Sequence, residues 1–266
     1  FGAMRAGGIV TATSAMYTTR EVTHQWNDAG ATVVIADRRL YPVIKAALPQ
    51  LTSVGHIVLT GMRQYYPRPW EQLCNFPDSS SGTRPVTRSK LSSQRTSPPR
   101  GPALHEWGTL LSGTAKPRPS GLTPSDIACL QYTGGTTGKP KGVMSTARGG
   151  AYLTMLQMAE WEFPEELRML MCTPLSHAAA AFFIPVLQRG GAFYVPRGFT
   201  PDLFFDMVEQ YRIFATMLVP VMIYTLLDSP RAATADLSSL QTIFYGASAM
   251  SPARLREGIE KWGHVF

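Results

Sequence analysis

Short, branched apolar runs alternate with amphipathic stretches along most of the chain, and this alternation narrows the fold most. "ATVVIAD" (31–37) and "HIVLTG" (56–61) read as buried strands. The stretches before and between them have helical spacing. In "TTREVTHQWNDAG" (18–30), Thr18 and Glu21 stand in capping-box spacing, Val22 and Trp26 lie one turn apart, and Gly30 supplies a stop. "RRLYPVIKAAL" (38–48) reads as a second helix with Pro42 near its first turn. Strands separated by helices of this length pair in parallel, as βαβ units.

The pattern resumes after a break. "IACLQYT" (127–133), "RMLMCTP" (168–174), "AFYVP" (192–196), "FATMLVP" (214–220) and "TIFYG" (242–246) read as strands with helices between them. The helix after Thr200 has Pro201 at its first position and an apolar face of Leu203, Phe204, Met207, Val208 and Tyr211. The helix after Ser251 repeats the device, with Leu255, Ile259 and Trp262 on one face and Gly263 at its end. "HVF" (264–266) reads as the start of another strand. The expected fold is α/β: doubly wound, mostly parallel sheets with flanking helices.

Residues 76–105 break the alternation with serine, proline and arginine and few large apolar residues. Such a stretch cannot bury enough surface to offset the entropy of ordering it, so a mobile loop is expected there. A linker, an exposed insertion and a stretch translated out of frame all fit it. The expected organisation is a first α/β portion over 1–75, an insertion or linker over 76–122, and a second α/β portion over 123–266.

Charge and cysteines narrow the function classes. The net charge of +7 could suit an anionic partner, but Arg84, Arg88, Lys90, Arg95 and Arg100 supply much of it from that one segment. No nucleic-acid partner is expected. The three cysteines, Cys74, Cys129 and Cys172, are scattered, which fits a reducing cytoplasm and no disulfide framework. The five histidines do not cluster in sequence. No apolar run reaches the roughly 20 residues that span a bilayer, so no transmembrane segment is expected. The longest, 178–187, reads as a buried helix.

The chemistry concentrates in "YTGGTTGKPKG" (132–142). Gly134, Gly135 and Gly138 let backbone N–H groups approach a ligand closely. Thr133, Thr136 and Thr137 add hydroxyls, and Lys139 and Lys141 add charge for phosphate oxygens. A polyphosphate suits this set; a glycine-rich turn with solvated lysines is the other use of such a composition. The loop is not a Walker A motif: Thr133 stands where that motif has its first glycine, and Pro140 stands where it has the magnesium-binding hydroxyl.

The stretch "YTGGTTGKPKGV" resembles the phosphate-binding signature of the adenylate-forming superfamily, which includes acyl-CoA synthetases, aryl-CoA ligases, luciferases and peptide-synthetase adenylation domains. "CTPLSHAAA" (172–180), "LVPVMIYTLL" (218–227) and "LSSLQTIFYGASAMSP" (237–252) are similar to later segments of the family, in the family's order, and residues 5–37 to its earlier α/β region. The resemblance is nearest to fatty-acyl and aryl-acyl CoA ligases and leaves out roughly residues 65–120. It implies two half-reactions, in which a carboxylic acid and ATP give an acyl-adenylate and coenzyme A then takes the acyl group, with Mg2+ assisting. It assigns residues 133–138, Lys139 and Lys141 to the phosphates. It places His177 where carboxylate and α-phosphate meet, and Tyr245, Gly246, Ala247 and Ser248 along the adenine and acyl pocket. Read from the residues alone, His177 is a helix-capping or merely satisfied histidine, and residues 245–248 form a strand-to-helix turn with Ser251 capping the helix.

Ala178, Ala179, Ala180 and Ala181 leave room for an acyl chain or pack a helix. The family's glutamate for magnesium and its small C-terminal domain would lie beyond Phe266, so this chain by itself is expected to be inactive. A non-catalytic relative with weak nucleotide binding, and a binding protein that uses its basic segment, are the other readings.

Overall fold

The computed structural model describes residues 2–61, 101–111, 119, 121–133 and 140–266. The phosphate-loop residues Gly134, Gly135, Thr136, Thr137, Gly138 and Lys139, the basic stretch 76–100 and Cys74 lie outside the described residues. The chain divides into two compact units, one of Phe1–Ser14 with Pro119–Phe266 and one of Ala15–Arg118. α1 (Gly2–Arg5) and β1 (Val10–Thr11) belong to the first.

The second unit is a parallel three-stranded sheet, β2 (Val33–Asp37), β3 (His56–Thr60) and β4 (Ala103–Glu106), in the order β2-β3-β4. α2 (Thr19–Asp28) and α3 (Tyr41–Ala47) cover one face, on which Val34, Ile57 and Leu59 pack against Val22, Trp26, Ile44 and Ala47. The start of α2 is set by Glu21, whose carboxylate accepts the Thr18 backbone N–H at 2.8 Å and its hydroxyl at 2.9 Å. Its end is set by Gly30 at φ +59°. Ala31 N–H there reaches Trp26 O at 2.9 Å and Gly30 N–H reaches Asn27 O at 3.2 Å, the double bond of a Schellman cap. β4 falls within the stretch anticipated as a loop. Its run Ala103–Glu106 completes the ladder against β3 despite its few apolar residues, because the edge of β3 offers a row of backbone groups to satisfy. α4 (Trp107–Leu111) follows. The sheet also brings two of the scattered histidines together, with His56 Nδ1 3.1 Å from His105 Nε2.

The first unit carries a four-stranded parallel sheet in the order β10-β9-β7-β8, from β7 (Arg168–Leu170), β8 (Ala192–Tyr194), β9 (Ala215–Leu218) and β10 (Thr242–Tyr245). Successive residues face opposite sides. Leu170, Leu218 and Ile243 meet Phe204, Phe205 and Val208 of α7 (Pro201–Tyr211) and Ile223, Leu226 and Leu227 of α8 (Pro220–Leu227). Met169, Ala215 and Met217 face Phe163, Phe182 and Val186 on the other side. Both faces are covered, which is what a doubly wound parallel sheet requires. Thr216, fully buried, donates its hydroxyl to Leu170 O at 2.8 Å, so the polar group in the core has a partner.

The smaller sheet of this unit runs β1-β5-β6, with β5 (Ile127–Thr133) parallel to β1 and antiparallel to β6 (Lys141–Thr146). The helices α5 (Ala147–Glu160), α6 (Phe183–Gln188) and α9 (Pro252–Trp262) complete the unit. The apolar run 178–187 is a 3-10 turn, Ala178–Phe182, leading into α6. Thr200 caps α7 by accepting Leu203 N–H at 3.2 Å. "HVF" is not a strand. Gly263 at φ +79° turns the chain back, Val265 O accepts Ile243 N–H, and Phe266 stacks on Trp262 at 6.1 Å.

Among the described residues no helix is long and apolar enough to cross a membrane. Cys129 and Cys172 are free thiols. Burial pushes the Cys172 thiol up to about 12, so little thiolate exists at pH 8. Iodoacetamide at pH 8 should leave Cys172 unlabelled in the native protein and label it once guanidinium unfolds the chain, as read by peptide mass spectrometry. Native labelling at the unfolded rate would contradict this burial.

Candidate functional site

The ends of parallel strands are where the backbone leaves the ladder and its side chains become free to meet a ligand. Two groups of the expected site residues sit at strand ends, one on the antiparallel β5–β6 hairpin and one at the carboxyl edge of the parallel sheet. β5 finishes at Thr133 and β6 starts at Lys141, and the two residues face each other across the antiparallel ladder. Both are exposed. The loop residues 134–139 connect them. One pair inward, Tyr132 is buried and stands opposite Gly142, where an added Cβ would lie 3.1 Å from the Tyr132 ring carbon Cζ. The glycine thus admits the ring that covers the hairpin. Among the described residues the Lys141 ammonium has no ion-pair partner.

His177 follows β7, Tyr245 ends β10, and Gly246, Ala247 and Ser248 follow it. β7 and β10 are parallel and separated only by β9, so both segments leave the carboxyl edge of one sheet. His177 occupies the N-cap position of the 3-10 turn Ala178–Phe182, but through its backbone: its N–H reaches Pro174 O and its carbonyl accepts Ala180 N–H, both at 3.1 Å. The half-buried imidazole does no capping. Of the alanines beside it, Ala179 is fully buried, while Ala178 and Ala180 are exposed.

Ala247 has φ +68°, a left-handed conformation that costs a residue with a Cβ about 1 kcal/mol. Strain of this kind persists only where neighbours hold it. Tyr245 meets Phe266 edge-on at 6.1 Å on one side of the turn. On the other, Ser251 N–H donates to Tyr224 Oη at 2.7 Å. Sequence reasoning expected the Ser251 side chain to cap α9. Ser251 does occupy the N-cap position, but its side chain makes no cap bond and its backbone N–H is the group that is held. Tyr224 and Arg254 were not found from sequence, since nothing in a helical Tyr reveals which backbone N–H its hydroxyl reaches.

The structure therefore brings Thr133 and Lys141 together on one hairpin, and His177 and residues 245–248 together on one edge of the larger sheet. The architecture is matched in solved structures at low identity. One is the N-terminal domain of FACL13 from Mycobacterium tuberculosis, with a TM-score of 0.69 at 20% identity, over 98% of this chain and 56% of that one. Another is the anthranilate CoA ligase AuaEII in complex with anthranoyl-AMP, with a TM-score of 0.71 at 18% identity, over 98% of this chain and 45% of that one. A family model described as AMP-binding enzyme matches residues 1–266. The chain belongs to the AMP-binding enzyme family.

Relatives within the AMP-binding family narrow the likeness. The chain is 54% identical over 145 residues to the medium/long-chain-fatty-acid–CoA ligase FadD8 of Mycobacterium tuberculosis, a match that covers 54% of this chain and 25% of that protein. It is 28% identical over 268 residues to the long-chain-fatty-acid–CoA ligase of Bacillus subtilis, covering 98% of this chain and 45% of that protein. The chain thus spans between a quarter and a half of these relatives' length.

Proposed function

We propose that this chain is the nucleotide-binding part of an AMP-forming acyl-CoA ligase acting on medium- or long-chain fatty acids. The observation that carries the reading is the hairpin that closes on Thr133 and Lys141 in a chain of this family, together with the 54% identity to a fatty-acid–CoA ligase. In this reading residues 123–266 are the ATP-binding portion, residues 1–75 an earlier portion and residues 76–122 an insertion or linker except for β4 and α4, which belong to the second unit. The activity is cytoplasmic.

The reaction needs no protein nucleophile. A carboxylate oxygen of the acid attacks the α-phosphorus of ATP, the bond to the bridging oxygen breaks, and pyrophosphate leaves. The coenzyme A thiol then attacks the acyl carbon, and AMP leaves with the electron pair. The protein's part is to align two anions and stabilise charge on the departing pyrophosphate. Thr133, the loop residues 134–139 and Lys141 take the phosphates in this reading. His177 donates to a phosphate oxygen beside the carboxylate, and residues 245–248 line the adenine and the start of the acyl pocket. Mg2+ would come with ATP in this reading and offset charge on the departing pyrophosphate, and no step is assigned to it.

Exchange of labelled pyrophosphate into ATP, run on the protein as its cell makes it, tests the reading. Exchange that requires a fatty acid, followed by acyl-CoA formation when coenzyme A is added, is the expected result. ATP binding without exchange under any acid would replace it with the non-catalytic alternative. Exchange supported by aromatic acids and not by fatty acids would keep the reaction and overturn the substrate.

A further inference from the structure

We propose that Tyr224 is a positioning residue that fixes the turn at residues 246–250 for nucleotide binding, an inference that rests on the nucleotide site proposed above. The turn leaves β10 at Tyr245, whose ladder partner is Leu218 at the end of β9. It re-enters regular structure at Ser251, the N-cap of α9. Between these ends Ala247 holds a left-handed backbone that nothing in its own side chain favours. The first end is fixed by the sheet. The second is the start of α9, where Ser251 O accepts Leu255 N–H at 2.9 Å and Ser251 N–H makes one side-chain bond, the 2.7 Å contact to Tyr224 Oη.

Tyr224 is itself held by Arg254 at two points, its ring and its carbonyl. The Arg254 guanidinium carbon sits 5.3 Å from the centre of its ring, in cation–π range. Arg254 Nη2 donates to Tyr224 O at 2.9 Å and to Asp228 Oδ1 at 2.7 Å, and Arg254 Nη1 donates to Glu257 Oε2 at 2.7 Å. Lys261 Nζ donates to Leu227 O at 3.0 Å. Two cations of α9 thus cap the carbonyls at the C-terminus of α8, where the helix dipole favours positive charge. The two helices are locked, so the Tyr224 hydroxyl offers its oxygen at a fixed place. The Ser251 N–H is the first donor of α9 and has no intrahelical acceptor. Without the hydroxyl it must seek water, and the turn that carries Ala247 and Ser248 loses its outer anchor.

Tyr224→Phe removes the one oxygen and leaves the ring under Arg254. Asp228→Asn is the comparison, since it weakens the same α8–α9 clamp without touching Ser251 N–H. The expected result is an ATP dissociation constant raised about 5- to 10-fold in Tyr224→Phe and unchanged within about 2-fold in Asp228→Asn, a hydrogen-bond-sized effect. Both are measured on the full protein at a temperature where thermal unfolding shows each variant folded. ATP binding unchanged in Tyr224→Phe would overturn the positioning role. So would equal weakening in both variants, which is the signature of general loosening. If the unmodified protein does not bind ATP at all, the nucleotide site itself is wrong, and Tyr224 loses its role with it.

Discussion

In the complete ligase of the proposed function, Lys141→Ala is expected to lower fatty-acid-dependent pyrophosphate exchange by about 100-fold or more, the usual loss when one preorganised charge-stabilising donor is removed. The expectation rests on where the ammonium starts from. Lys141 is the first residue of β6, anchored by the ladder through its pairing with Thr133, so its backbone is placed by the sheet rather than by the loop. Among the described residues no carboxylate engages its side chain. A lysine that is not neutralised by a partner in the fold is free to meet a phosphate. Negative charge on the bridging and terminal oxygens grows as pyrophosphate departs, so a cation there helps the transition state more than bound ATP. The loss should therefore fall on the rate at saturating ATP more than on ATP affinity. Lys141→Arg keeps the charge and should recover part of the rate. Exchange that is unchanged in Lys141→Ala removes the role given to this residue, and a loss confined to ATP affinity reduces it to ground-state binding.

Local signals in the sequence survived into the structure wherever one residue type had one physical use. Thr18 with Glu21, Gly30, and Thr200 before Pro201 each marked a helix boundary that the fold keeps, because caps and stops are settled within a few residues. The βαβ alternation gave the parallel sheets, and the family likeness pointed at the hairpin and the strand ends. What could not be read depended on partners far along the chain. Tyr224 meets Ser251 across 27 positions, and His56 meets His105 across 49, so no periodicity reports either contact. β4 escaped because its strand character comes from the edge it joins, not from its own composition. Phe205 escaped the expected face of α7 because the helix buries a wider arc than one stripe, between the sheet and the clamp of Arg231 on Asp206 and Glu209. Residues that cap through the backbone, such as His177 and Ser251, look in sequence like side-chain caps.

Gly191→Ala is expected to destabilise the first unit by about 3 kcal/mol, from overpacking together with a lost backbone hydrogen bond. A Cβ built at Gly191 would lie 2.3 Å from Leu167 O and 3.0 Å from both the carbonyl carbon and the Cβ of Leu167, a residue with no exposed surface. Neither side can yield cheaply. Leu167 O accepts Ala192 N–H at 2.8 Å at the entry to β8, and Gly191 N–H is committed to Val186 O at 2.9 Å at the end of α6. Making room for a methyl group means breaking the first bond or unseating the helix end. Gly190 next to it is the internal control. It has φ +66° and nothing within 4 Å of an added Cβ, so Gly190→Ala brings only backbone strain of about 1 kcal/mol. Urea unfolding at unchanged m-value measures both. The order should be Gly191→Ala well below Gly190→Ala, with the unaltered protein highest, and a reversed order would refute the steric argument. The damage should also reach the site, because Tyr194 O at the end of β8 accepts Met171 N–H at 2.9 Å, where the segment toward His177 begins. A glycine needed for its lack of a side chain is in this way part of what holds the carboxyl edge of the sheet in place.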